Sequence, residues 1–282
     1  MSEGGARRRS GVTRFTDVRR YHSVSSTNDV AAALARAGAP EGVVVVADHQ
    51  SAGRGRWGRS WTALPGSSLL VSVLLRPGPD PDALALVPLA TGLAAVDACL
   101  DVAGFAPGLK WPNDLVVDGA KLGGILTELL PAPDGAPPAV VMGVGVNLRW
   151  PAEGAGHLDG LQGDGEGGAA VTVAAAEEVA GRSLARDAVL AAFLVALERC
   201  YEALGDPRTR EAFLEQYRQR CLTLGQTVGV ELPGGDWVEG QAVDVAPDGR
   251  LALRELGGTV RLVAAGDVVH LRPSGGERAE GP

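Results

Sequence analysis

At 282 residues and 45% hydrophobic content, the chain is long enough for one large domain and a small second one, each with its own core. A formal net charge of −8 disfavours a general nucleic-acid binder, leaving only the short ARRR tip as a local basic arm, and 40 Gly and 18 Pro without a strict period exclude collagen-like and solenoid architectures. Three cysteines (Cys99, Cys200, Cys221) without C-x-x-C spacing and four scattered histidines argue against a disulfide framework and a zinc site. MSEGGARRRS leads into no apolar segment of secretory type and no run of ~18 apolar residues follows, so the expected location is cytoplasmic, with no membrane partner.

In chain order, residues 1–13 read as a disordered tail and FTDVRRYHSV (15–24) as a first strand. Ser26–Asp29 offers a cap to a helix over 29–38 that Gly38 stops. VVVVAD (43–48) and SLLVSVLL (68–75) read as buried strands, and 83–104 as a long apolar helix, kinked or begun afresh near Pro88. KWPND (110–114) ends a short extended piece. LVVDGAKLGGILTELL (115–130), with a D-G turn, and AVVMGVGVNLRW (139–150) read as strands joined by PAPDGAPP. Residues 151–170 are Gly-rich and read as a mobile loop, followed by helices over 186–204 and 209–221. From Gln226 to Arg272 the texture changes to short alternating strands split by PGGD, PDG and GG, a small β-barrel. The expected domains are therefore 14–222 and 223–272, with a tail over 273–282.

Rare letters mark where the chemistry lies. Of 26 basic residues only Lys110 and Lys121 are lysines, and both flank WPND. The three asparagines are Asn28, Asn113 and Asn147, and four of the five tryptophans (Trp57, Trp61, Trp111, Trp150) fall between HQSAGRGRWGRSW (49–61) and GVGVN (143–147) or just past it. A chain that favours Arg and avoids Asn keeps these residues where a compact ammonium and neutral amides are needed, with chance clustering as the competing explanation.

Each segment alone has a plain alternative. SSTND caps a helix, although such an N-terminus also presents several donors to a ligand. GRGRWGRSW either cradles an anion or is a solvated turn; it is neither a P-loop nor a dinucleotide-binding G-x-G-x-x-G. KWPND is a proline turn with Trp111 in the core, and KLGGILTE and GVGVN are strands whose glycines allow close backbone approach.

Together, in this order and spacing, SSTND, HQSAGRGRWGRSW, LKWPNDL, KLGGILTE and GVGVNL resemble the biotin protein ligases, also called holocarboxylase synthetases. The resemblance covers residues 20–150 through specific motifs and extends more loosely to the C-terminal barrel. It implies an α+β fold, with a mixed-sheet catalytic domain of class II synthetase type flanked by helices and a small SH3-like β-barrel. It implies an ATP-dependent ligase that makes biotinyl-5′-AMP, releases pyrophosphate, and passes biotin to a lysine of a biotin carboxyl carrier protein of acetyl-CoA carboxylase. Mg²⁺ is expected to travel with ATP rather than in a dedicated protein cage.

By motif match, Ser26, Thr27, Asn28 and Gln50 would bind biotin, with Gly53, Arg54, Gly55, Arg56 and Gly124 nearby. Lys121, Arg54 and Arg56 would be catalytic, Lys121 holding the carboxylate–phosphate junction. Arg56, Arg59, Trp61, Asn113, Asp114 and Asn147 would serve ATP, Trp61 by stacking on adenine. The arginine loop is expected to be mobile until ligands give its arginines something to hold.

The sequence departs from relatives at Trp57, inside the loop, and at Ser51 and Gly123, where the family varies. About twenty residues precede the motifs, too few for the winged helix-turn-helix of the repressor members, so a single-function ligase without specific DNA binding is expected, as monomer or homodimer. A lipoate or octanoate ligase-like acyltransferase and a non-catalytic biotin sensor are the rival readings.

Overall fold

The run VVVV (43–46) lacks the polar alternation of a one-sided strand because both of its faces are covered. In a computed structural model of the chain, describing residues 13–78, 80–131, 138–150, 172–264 and 266–270, Val43 and Val45 pack with Ala31, Ala32 and Ala35 of a helix on one face. Val44 and Val46 join the main core on the other. The expected tails before Thr13 and after residue 272, the 151–170 loop and the 132–137 turn lie outside the described residues.

β1 (Asp17–Val24), α1 (Thr27–Arg36) and β2 (Val43–Gln50) form a crossover unit in which the two strands run parallel. β3 (Ser68–Leu75), β4 (Gly108–Lys110), β5 (Asp114–Val117), β6 (Ala120–Leu130) and β7 (Ala139–Asn147) complete a seven-stranded mixed sheet in the order β1-β2-β3-β7-β6-β5-β4. Asp118 and Gly119 both have positive φ (48° and 78°), the backbone a two-residue hairpin needs between β5 and β6, so the D-G turn is as expected.

α2 (Pro81–Ala103) starts two residues earlier than expected, because Asp80 accepts from the Asp82 N–H and Pro81 occupies the first turn. It runs through Pro88 as one helix, with Leu86, Val87, Leu89 and Ala90 all buried, so packing on several sides outweighs the missing hydrogen bond. By length and composition α2 could cross a membrane, but its apolar surface is largely buried between the sheet and α4 (Arg186–Ala203). A short α3 (Ala176–Ala180), not anticipated from sequence, and α5 (Pro207–Arg220) complete the helices of the described residues.

The C-terminal strands β8 (Thr227–Glu231), β9 (Trp237–Val245), β10 (Leu251–Arg254), β11 (Val260–Val263) and β12 (Asp267–His270) form an antiparallel sheet in the order β11-β10-β9-β8-β12. The sequence reads β11 and β12 as one segment; the chain breaks at Gly266, where a Cβ would lie 2.2 Å from Val230 Cγ1. This sheet docks on the rest of the chain through Trp111, whose indole N–H donates to Gly249 O at 3.0 Å, and through Arg218 of α5, which donates to Val245 O.

Candidate active site

α1 covers only half of its face of the large sheet. Leu74, Ala139 and Val141 are packed beneath it, and the helix begins over Gly143. Register and the two-residue side-chain period put Leu70, Gly145 and Gly124 on the same face, beyond the helix end. That uncovered half is the floor of a cavity of about 940 Å³, roofed by the arginine loop and bordered by Asp267, Val268 and Val269 of β12.

The neutral end lies by β2 and β3. Ser26 is the N-cap of α1, but its side chain makes no cap hydrogen bond, and Thr27 and Asn28 sit inside the first turn with their side chains committed elsewhere. The Thr27 N–H and hydroxyl both donate to Gln50 Oε1 (2.7 and 2.9 Å). The Ser72 hydroxyl lies 2.7 Å from Thr27 Oγ1 and 2.6 Å from Asn28 Oδ1, and the Asn28 amide donates to Glu128 at 2.7 Å. SSTND is therefore more than a cap. Three adjacent residues with exposures of 3–4% turn hydrogen-bonding groups inward, where an unmatched polar group is costly.

The cationic end lies by β5 and β4. Five cations line the cavity (Arg54, Arg56, Arg59, Lys110, Lys121) against three carboxylates (Asp114, Glu231, Asp267), in a chain of net charge −8. Lys121 Nζ is 2.8 Å from Asp114 Oδ1, yet that oxygen accepts no directed hydrogen bond, so the pair is held by charge at an angle unfavourable for a shared proton. Burial pushes the Lys110 ammonium below its ordinary pKa; Asp114 opposes this, and Lys121 and Arg59 add to it. Burial likewise lowers the Arg56 guanidinium, offset in part by Asp114. Lys110 and Arg56, partly desolvated and without a carboxylate ion pair among the described residues, make this end a site that gains free energy from an anion.

The loop itself is a small hairpin: Arg54 bridges to Ser60, and the Trp61 N–H donates to Gly53 O. Its arginines hold protein partners, which corrects the expectation that they need ligands to hold anything. Arg54 pairs with Asp29 (2.6 Å) and Glu128 (3.1 Å), Arg56 donates to Asn113 Oδ1 (3.3 Å) and Gly266 O (3.2 Å), and Arg59 pairs with Asp267. The Asn113 amide is oriented by its own donation to Ile125 O. Trp57 is exposed and holds the left-handed conformation (φ 56°, ψ 36°). Trp61 lies over Gly145 and Gly124, where Cβ atoms would come within 2.5 and 3.2 Å of its ring; its indole N–H is buried with no acceptor among the described residues.

Of the site residues expected from sequence, Gly53 and Asn147 do not line the cavity. Gly53 lies at the base of the loop hairpin, where a Cβ would be 2.3 Å from Trp61 O. Asn147 is buried at the end of β7 and donates to Ala174 O, in the segment that also bonds the Lys121 backbone. Sequence reasoning missed Asp29, Ser72, Glu128, Gly266 and Asp267. Asp29 and Glu128 stood in motifs already singled out; Ser72, Gly266 and Asp267 carried no local signal. Among the described residues no three His, Cys, Asp or Glu side chains gather to hold a metal.

Comparison with known proteins gives the same picture. The model of the biotin/lipoate A/B protein ligase family matches residues 21–147, and that of the biotin protein ligase C-terminal domain matches residues 223–271. The biotin–[acetyl-CoA-carboxylase] ligase of Mycobacterium tuberculosis is 39% identical over 252 residues, covering 88% of this chain and 86% of that protein. The bifunctional ligase/repressor BirA of Bacillus subtilis is 40% identical over 130 residues, 46% of this chain and 40% of that protein. Among solved structures, Aquifex aeolicus biotin protein ligase in complex with biotin and ATP matches with a TM-score of 0.71 at 24% identity, covering 92% of this chain and 100% of that one. Leishmania major biotin protein ligase in complex with biotin gives 0.59 at 27% identity, covering 89% and 99%. The chain belongs to the biotin protein ligase family.

Proposed function

We propose that the cavity joins biotin to ATP and then to a carrier lysine. One observation carries this reading: a single cavity has a neutral, hydrogen-bonding end at Thr27, Asn28 and Gln50 and a cationic end at Arg56, Arg59 and Lys110, with Lys121 of β6 on its wall beside Asp114. A cyclic urea suits the first end and a triphosphate the second. An apolar dithiolane or alkyl tail brings no N–H to the two acceptors, Thr27 Oγ1 and Asn28 Oδ1, that compete for the single Ser72 proton, which favours biotin over lipoate or octanoate.

In the first step a biotin carboxylate oxygen attacks the α-phosphorus of ATP and pyrophosphate leaves, giving biotinyl-5′-AMP. Two anions must approach, and Lys121, with Arg56 beside it, would cancel their repulsion and steady the charge gathering on phosphorus. Arg59 and Lys110 would hold the outer phosphates and Trp61 the adenine. The residues fit a Mg²⁺ ion brought by the triphosphate rather than caged by protein: among the described residues no cluster of three ligands gathers, and the one carboxylate beside Lys121, Asp114, would face the ion, which would neutralise phosphate charge. In the second step a neutral lysine amine attacks the acyl carbon, AMP leaves, and a proton is lost from the new amide. The roof of Arg54 and Arg56 would keep water from the anhydride between steps.

The domain limits 14–222 and 223–272 and cytoplasmic action belong to this same reading. The acceptor is the carrier domain of a biotin-dependent carboxylase. Mass spectrometry of that domain after incubation with the protein, biotin, ATP and Mg²⁺ tests it. One added biotinyl group on one lysine is expected; an unmodified carrier beside a working adenylation step would reject the acceptor.

A further inference from the structure

We infer that Glu128 is a positioning residue that grips the Asn28 amide and the Arg54 guanidinium at once, coupling the neutral end of the cavity to closure of the arginine loop. This rests on the reading of the cavity given above. Glu128 Oε2 accepts from Asn28 Nδ2 at 2.7 Å, and Arg54 Nη2 lies 3.1 and 3.2 Å from the two carboxylate oxygens. The carboxylate spans a boundary: Asn28 is 3% exposed, whereas the Glu128 and Arg54 side chains are 33% and 38% exposed.

Glu128 breaks a local pattern. Gly124, Leu126, Glu128 and Leu130 alternate onto the face of β6 that α1 partly covers, and Leu130 packs with the apolar cluster there. An acidic side chain in that row is a departure that a functional demand explains.

The contact also sets which way the Asn28 amide points. Nδ2 has two acceptors, Glu128 and Leu126 O (3.4 Å), and Oδ1 has the Ser72 hydroxyl. Ser72 has one proton but two close acceptors, Asn28 Oδ1 and Thr27 Oγ1, while the Thr27 proton is directed to Gln50. The chain Gln50–Thr27–Ser72–Asn28–Glu128–Arg54 is therefore one donor short, and it begins and ends in the same 49–61 stretch. A ligand N–H supplies the missing donor. Taking up that donor at Asn28 stiffens the amide that holds Glu128, and Glu128 in turn holds Arg54 over the bound ligand.

Selective ¹⁵N-asparagine labelling gives three side-chain amide pairs, from Asn28, Asn113 and Asn147, and reads this coupling directly. Glu128→Gln keeps the shape and removes the charge. It is expected to move the Asn28 resonances and to release synthetic biotinyl-5′-AMP about tenfold faster, the effect of losing one charge-assisted hydrogen bond. Asp29→Asn, which weakens the other ion pair of Arg54 and leaves Glu128 intact, should speed release less than Glu128→Gln does. Arg54→Ala, at a loop position whose side chain is 38% exposed, should move Asn28 through the shared carboxylate, and it serves if Glu128→Gln does not fold. Unmoved Asn28 resonances in Arg54→Ala, or unchanged release from folded Glu128→Gln, would overturn the inference. Wild-type protein is run beside them for biotin-dependent pyrophosphate exchange: its failure there rejects the reading of the cavity, and its success with unaffected variants rejects only the role of Glu128.

Discussion

Arg59 of the arginine loop and Asp267 at the start of β12 form an ion pair, so the small C-terminal sheet fastens the loop that roofs the cavity. Arg56 adds a second tie through the neighbouring carbonyl of Gly266. Both side chains of the Arg59 pair are partly exposed (40% and 21%), so the pair contributes only about 0–1 kcal/mol to folding. Asp267→Asn should therefore leave the melting temperature within a few degrees of wild type while the adenylate escapes several-fold faster. Equal adenylate retention, measured by stopped-flow release, would mean that the small sheet does not help hold the roof.

Lys121 is expected to tolerate no exchange, not even for arginine. Its ammonium is 2.8 Å from Asp114 and 5.8 Å from the centre of the Trp61 ring, a space that suits a compact charge. A planar guanidinium would push one reactant off line, and a displacement near 1 Å costs on the order of a hundredfold in rate. Lys121→Arg should fold and bind biotin but lose most pyrophosphate exchange. Exchange at the wild-type rate would remove Lys121 from the junction.

Two glycines of β7 should separate the ends of the cavity. A Cβ at Gly145 would lie 2.5 Å from the Trp61 ring, and one at Gly143 would lie 2.3 Å from Asn28 Oδ1. Overpacking of this kind costs about 1–3 kcal/mol where the neighbour must move. Gly145→Ala is expected to raise the KM for ATP about tenfold or more with a smaller effect on biotin, and Gly143→Ala to do the reverse. Steady-state kinetics with each substrate varied in turn checks this, and equal effects on both substrates would contradict the division.

Lys110 gives a pH signature. Burial lowers its pKa, so the folded protein binds fewer protons than the unfolded chain between the lowered value and the ordinary one. The buried charge costs stability at lower pH, and this cost is relieved as pH rises through the lowered value. Triphosphate binding, which needs the charge, weakens over the same window. The KM for ATP should rise at a lower alkaline pH than an ordinary lysine would give, and Lys110→Arg should flatten that limb. Identical profiles for the two proteins would exclude Lys110 from the phosphate end.

Much of this was legible in the sequence because the signals were local. Short apolar runs located β2 and β3, the strand-like stretches 115–130 and 139–150 located β6 and β7, and D-G at 118–119 fixed the hairpin. The motif order gathered Thr27, Gln50, Arg56, Lys121 and Asn113 into one cavity before any coordinates did. What escaped depends on pairing across the sheet. Ser72 reaches Asn28 because the start of α1 overlies β3 and β7, and Asp267 meets Arg59 because β12 returns to the loop from 208 residues away in the chain. Glu128 lay in a quoted motif, but only strand register shows that it shares a face with Asn28. The start of α2 was misjudged because Pro81 reads as a breaker until Asp80 is seen capping it.

The central claim is that one cavity activates biotin with ATP, and isotope exchange between pyrophosphate and ATP tests it most directly, since it reports the reversible first step and needs no carrier. The account predicts exchange that depends on biotin and Mg²⁺, is not supported by lipoate, and is abolished by Lys121→Ala. Biotin binding without exchange would make the protein a sensor, and exchange driven by lipoate in place of biotin would contradict the assignment of the neutral end.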